Sequence, residues 1–503
     1  MIAEDAAHST DGSSPPVPTA HLVPAQRAEP DPYPVSYAVP GPQPVPGPPP
    51  GFGAPHPYPT LHPYPTLHPY PTLWPDPALL HRPRRRWGRV IALVATGLTL
   101  ACATAGGLAV VLVPPVLDQL AAAGTQTPGT APSPRPDDKL SVRQAWVKER
   151  IDAALTVQRE ALLAGDEKAY LSVVEPTATD ALDRLRIQFR SLRAMQVAAW
   201  TDRGYQPSPS PNDEWQVRLS STPCFVVAVC NESRTPSFMR WRIENGRAVL
   251  LYWEPGDKDG GAPWQTDELV ALAGARTVVA TTPVFERELP MLLREAEKAA
   301  KVADRYAVGT PPTRYPVYYA DSREWERWYG GHPPDWAGGV AIPVTRERYE
   351  LVLNGAYLTQ AGLGELMRHE LAHASSLAGA GGGYGSWWLV EGLAEEAGAN
   401  GAKPAAYPAM AEVRRFVKKW NRDIELAAPG EKTPESEVAG RYGVAYLAVH
   451  RLVARFGFAK AMAFFKSVLH LRKEVALAAP EQLGVSWAAV ERDLVDYVRR
   501  TAR

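Results

Sequence analysis

The sequence predicts an α+β chain in five parts, and three observations carry that prediction. Proline crowds the first stretch, a later stretch is long, apolar and uncharged, and the remainder alternates between helical and strand-like apolar periods. The expected parts are a disordered proline-rich tail over 1–83, a transmembrane helix over 87–114, a linker over 115–138, a small α+β domain over 139–256 and a larger mixed α/β domain over 270–503.

The tail holds nearly half of the chain's 51 prolines, including "GPQPVPGPPPGFG" and three copies of HPYPTL. Proline removes backbone donors and holds the chain extended, so this segment cannot build a packed core. Its evenly spaced His56, His62 and His68 read as part of a solvated spacer. A proline-rich tail of this kind suits an aromatic-lined groove on a cytoplasmic partner.

Residues 90–113 carry no charge, and 24 residues at ~1.5 Å each span about 36 Å, enough for a membrane. Arg82, Arg84, Arg85, Arg86 and Arg89 crowd the preceding flank. The positive side faces the cytoplasm, so the expectation is a single-pass cell-membrane protein with its N-terminus inside and its folded part extracytoplasmic. Residues 121–138, "AAAGTQTPGTAPSPRPDD", offer little to bury and read as a stalk.

From residue 139 the pattern turns globular. Val142, Trp146, Ile151, Ala154, Leu155 and Leu162 recur at helical spacing, and "AGDEKAY" closes one helix and opens another. "ATDALDRLRIQFRSLRAMQVAAW" is a further helix; "WQVRLSS", "CFVVAVC" and "SFMRWRIENGRAVLLYWEP" then alternate as strands, with "ENGRAV" as a hairpin turn. Helices followed by a small antiparallel sheet loosely resemble the nuclear transport factor 2-like fold, a likeness that implies nothing about activity. Cys224 and Cys230 would lie about 20 Å apart on a straight strand, so their pairing requires a bend within "FVVAV"; whether they pair stays open.

The last domain opens with a β-branched strand in "GARTVVATTPVF" and a long amphipathic helix; "YPVYYAD" and "AGGVAIPVTRE" are strands. "ELMRHELAHASS" and "WWLVEGLAEEAGAN" are helices joined through the glycine-rich "AGAGGGYGS".

Charge and cysteine narrow the chemistry. Lys plus Arg and Asp plus Glu both number 54, so no global field recommends nucleic acid as a partner. None of the 3 cysteines sits in a Cys-x-x-Cys pair, which excludes a cysteine zinc site and leaves histidine and carboxylate as ligands. Four residues apart on a helix, His369 and His373 stand about 40° apart around the axis and can bind one ion. Glu370 falls about 60° from His373, placed to hold a water without itself being a ligand. Such a site wants a third protein ligand, and Glu391 is the candidate, on a helix that the glycine loop allows to fold back on the first. Glu395 lies one turn further and can accept the second ring N–H of a ligand histidine; Glu396 competes for that role.

"HELAH" followed by "WWLVEGLAEE" resembles the gluzincin zinc metallopeptidases, the thermolysin-like, peptidase MA-like branch, over roughly residues 275–460. By motif match, the resemblance implies Zn2+ held by His369, His373 and Glu391, with Glu370 as general base and Glu395 behind a histidine. It further implies that "AGGVAIPV" borders the cleft and that Tyr442 donates to the oxyanion. His450, eight residues on and two turns along the same helix, is the alternative donor. The thermolysin calcium loops and the asparagine of its rim strand are missing here, so that enzyme's substrate preference does not follow. Two function classes remain: a membrane-anchored zinc peptidase acting on peptides or proteins, and a non-catalytic extracytoplasmic binding or sensor protein with a peptidase-like domain.

Overall fold

A computed structural model describes residues 133–503 except 257–259, 332, 335, 357, 359 and 381–385. All of these belong to one compact unit, 62–503. The expected tail, its repeats and the expected span over 87–114 lie outside the described residues.

The first lobe begins with α1 (Leu140–Ala164), α2 (Glu167–Leu171) and α3 (Thr179–Ala194). Gly165 ends α1 in the left-handed conformation, and the Asp166 side chain accepts from the Ala169 amide to start α2, as "AGDEKAY" required. An antiparallel sheet follows: β1 (Val197–Arg203), β2 (Ser208–Pro209), β3 (Glu214–Phe225), β4 (Thr235–Glu244) and β5 (Arg247–Pro255). Its order is β1-β3-β4-β5, with β2 also paired to β3. Asn245 and Gly246 both have positive φ, the two-residue turn that matches strand twist in a hairpin.

β3 stops at Phe225, so "CFVVAVC" is not the strand the alternation suggested. Val226 turns the chain with φ +66°, which brings the Cα atoms of Cys224 and Cys230 to 5.5 Å and lets them form a disulfide. The bend needed for pairing is therefore present.

The second lobe has a five-stranded sheet of β6 (Val270–Ala273), β7 (Thr277–Thr281), β8 (Tyr315–Ala320), β9 (Gly339–Pro343) and β10 (Tyr349–Asn354), in the order β6-β7-β8-β10-β9. The three central strands run parallel and both edges antiparallel. Val278, Tyr318 and Val352 face the first lobe, while Val279, Val317 and Leu351 face a helical layer. Burial on both faces explains why "YPVYYA" is apolar without alternation.

The helical layer contains α4 (Leu289–Ala303), α5 (Gln360–Ser376), α6 (Trp387–Ala399), α7 (Met410–Val417) and α8 (Glu435–Phe456), closed by α9 (Phe458–Leu469), α10 (Val475–Leu483) and α11 (Trp487–Thr501). α6 is buried almost throughout, touching α5 on one side and α8 on the other. A Cβ at Gly392 would sit 2.4 Å from the Ala445 carbonyl oxygen, so α6 and α8 reach this spacing only with glycine there. Gly392→Ala is expected to cost about 1–3 kcal/mol as the helices are forced apart. A denaturant midpoint unchanged from the parent would refute that packing.

The expected fold class needs correcting. Among the described residues no helix is long and apolar enough to cross a membrane. The longest, α1 with 25 residues, carries Arg143, Lys148, Glu149, Arg150, Asp152, Arg159 and Glu160. With parallel strands at the centre of the second sheet, the class is mixed α/β. Membrane association and a partner for the tail gain no support from the structure.

Candidate metal centre

α5 presents His369 and His373 from one face, and α6 lies against it. Arg368 Nε donates to the Gly398 carbonyl at 2.8 Å, fastening the two helices near the metal-ligand face. The two imidazole Nε2 atoms face each other at 3.1 Å. Glu391 Oε2 lies 3.4 Å from Nε2 of His369 and 3.3 Å from Nε2 of His373. All three residues are at most 1% exposed.

This triangle is the shape a small cation needs. Ligand atoms about 2.0–2.1 Å from a tetrahedral zinc stand about 3.3–3.4 Å from one another, close to the three separations found here. Glu391 Oε2 is buried and receives no hydrogen bond of good geometry, an arrangement that is costly unless a cation meets it. Among the described residues, His369, His373 and Glu391 are a trio able to share one ion.

The surrounding side chains take distinct places. Glu395 Oε1 approaches His369 Nδ1 at 3.4 Å, opposite the nitrogen that faces the trio. Glu396 turns away and reaches His450 Nδ1 at 3.0 Å on α8. The two glutamates thus differ by partner: Glu395 lies against His369 of the trio, and Glu396 against His450. His450 also stacks on Tyr497, engaged away from the trio.

Glu370 is buried beside β9. A Cβ on Gly339 would lie 3.1 Å from its side chain, a tight contact that glycine at 339 avoids. Burial raises the Glu370 carboxyl to about 8; Glu391 and Glu395 add to the rise, while His369 and the Ala341 backbone oppose it. Glu395 is likewise raised by burial, to about 7. Burial would lower His369, but contact with Glu391 and Glu395 outweighs it and lifts the imidazole to about 10. Against its own burial, Glu391 is held at about 2 by His373 and His369. Burial lowers His373. Three enclosed carboxyl groups thus compete for little positive charge, as in a pocket shaped around a cation.

Tyr442 of α8 faces the trio with its ring centroid 6.3 Å from that of His369. It is fully buried, and burial, reinforced by Glu391, Glu395 and Glu370, holds its hydroxyl well above the ordinary tyrosine range. It stays a neutral donor. Trp387 packs edge-on to it at 5.1 Å and Trp336 at 6.5 Å. Sequence reasoning missed these two walls. The available signal was an indole beside each motif, one just before "AGGV" and one opening "WWLVEG".

No protein-family model and no curated protein matches the chain. Solved structures similar to it include an M1 zinc metallopeptidase from Deinococcus radiodurans, at 15% identity and a TM-score of 0.30 over 57% of this chain and 62% of that one. Yeast LTA4 hydrolase is similar at 13% identity and a TM-score of 0.30, over 59% and 52%. The chain spans about half to three fifths of the length of these two proteins. Likeness at this distance carries no information on reaction or substrate, and nothing in it supports the nuclear transport factor 2-like resemblance of the first lobe.

Proposed function

We propose that the chain is a zinc-dependent peptidase that hydrolyses peptide bonds in peptides or proteins. The observation behind this reading is the triangle of His369 Nε2, His373 Nε2 and Glu391 Oε2 with the unpaired Glu370 carboxyl alongside. His369, His373 and Glu391 would hold the ion. Bound zinc supplies a Lewis acid that makes a water more acidic and a carbonyl more electrophilic.

The chain's own residues account for the rest. Glu370 takes the proton of the attacking water and returns it to the departing amine. Glu395 fixes the orientation of His369 through Nδ1. Tyr442, kept protonated by its surroundings, donates a hydrogen bond to the oxyanion, and loss of such a donor raises a barrier by about 3 kcal/mol. β9, an edge strand paired on one side with β10, offers backbone groups to an extended substrate. The trio and Glu370 are at most 1% exposed, so substrate entry requires the enclosing elements to part.

The Cys224–Cys230 disulfide supports placement in an oxidising, extracytoplasmic compartment. The test is incubation of the full chain with a diverse peptide pool, with and without a chelator, and mass spectrometry of the products. Zinc-dependent cleavage is expected. A peptide pool left intact by zinc-loaded chain, or cut equally after chelation, would overturn the reading.

A further inference from the structure

The stretch "RRFVKKWNR", residues 414–422, puts exposed Arg414, Arg415, Lys418, Lys419 and Arg422 at the end of α7 and in the loop that follows, a charge run that the site leaves unused. The chain's neutral total conceals it. The run borders a groove of about 800 Å³ between the end of α7, the loop that follows it and the start of α8. Phe416, Leu426 and Pro434 give the groove apolar walls, and its charged lining is Arg415, Lys418, Lys419 and Arg441 against Asp423 and Glu437.

The groove is braced by bonds within the protein. Trp420 Nε1 donates to the Asp423 carbonyl at 2.8 Å, and Arg441 Nη1 donates to the Ala427 carbonyl at 3.0 Å, pinning the loop to α8. Arg415 is paired with Glu412 and Arg441 with Glu437. Lys418 and Lys419 are exposed and have no ion-pair partner among the described residues. A concave surface of this size with apolar walls and unneutralised ammonium groups is complementary to a segment carrying carboxylates interspersed with apolar side chains.

We propose that this groove binds an acidic segment of the protein substrate. The proposal rests on the peptidase reading and adds a substrate class to it. α8 links the two places: Arg441 braces the groove, and the next residue, Tyr442, faces the trio.

The experiment uses the full chain carrying Glu370→Gln, so that a bound peptide is not consumed. A fluorescein-labelled peptide of alternating glutamate and leucine is titrated by anisotropy, with a lysine–leucine peptide, a DNA oligonucleotide and anionic lipid vesicles as comparisons. Saturable binding of the acidic peptide alone is expected, weakening as salt rises. Lys418→Glu with Lys419→Glu should reduce it at least tenfold, and the double alanine variant by less. Equal affinity of the charge-reversed variant, with an unchanged thermal midpoint, overturns the proposal. So does equal binding of DNA or vesicles. In the parent background, the reversed variant should cut short neutral peptides at the parental rate and acidic proteins more slowly. Binding without cleavage would sink the peptidase reading alone, and cleavage without selective binding the groove alone.

Discussion

Glu370→Gln is expected to keep its zinc and to lose peptide cleavage by about 10²- to 10⁴-fold, the usual contribution of a positioned proton acceptor. Glutamine matches glutamate in volume, so the close approach of Gly339 is preserved and β9 need not move. It is neutral at every pH and cannot accept the water's proton. His369, His373 and Glu391 are untouched, which separates this variant from any that empties the site. The measurements are metal content of the dialysed chain and turnover on the most rapidly cut peptide. Parental turnover would remove Glu370 from the mechanism, and loss of zinc would make it part of the metal's cage. Alanine at His369 or His373 gives the contrasting result, because deleting a corner of the triangle costs the ion first and activity in consequence.

The centre was legible because much of its geometry is local. His369 and His373 share a face by helix periodicity alone, whatever surrounds α5. Glu391 was legible for a second reason. "WWLV" marks a helix enclosed on all sides, and a carboxylate on such a helix needs a partner. The division of roles between Glu395 and Glu396 was not legible, since it depends on where α8 crosses α6 and Gly392 sets that approach. The strand expected through "CFVVAVC" failed because alternation reports a half-buried surface and cannot register the turn at Val226. The expected span rests on a stretch outside the described residues, and among the described helices none is long and apolar enough to cross a membrane.

The least legible feature yields the largest stability effect. Arg348 Nη2 pairs with Glu350 Oε1 at 2.6 Å, both nearly enclosed at 8% and 1% exposure. Its Nη1 donates to the Pro223 carbonyl at 2.8 Å and approaches the Asn231 carbonyl at 3.4 Å, on the two sides of the disulfide-closed loop. Tyr318 donates to Glu350 Oε2 at 3.1 Å, and Tyr329 donates to the same oxygen. One guanidinium therefore joins the first lobe to β10, whose partner β9 borders Glu370. No sequence period links positions 125 residues apart. Arg348→Ala strands a buried carboxylate and two carbonyls, and is expected to cost about 3–5 kcal/mol. Arg348→Met with Glu350→Gln removes both charges yet leaves an amide oxygen for the two tyrosine hydroxyls, so it should recover more than half of that loss. Urea unfolding of the three proteins decides the matter. An alanine variant within about 1 kcal/mol of the parent would place the pair among ordinary surface bridges. A double variant no more stable than the single would locate the energy in the loop carbonyls that Arg348 holds.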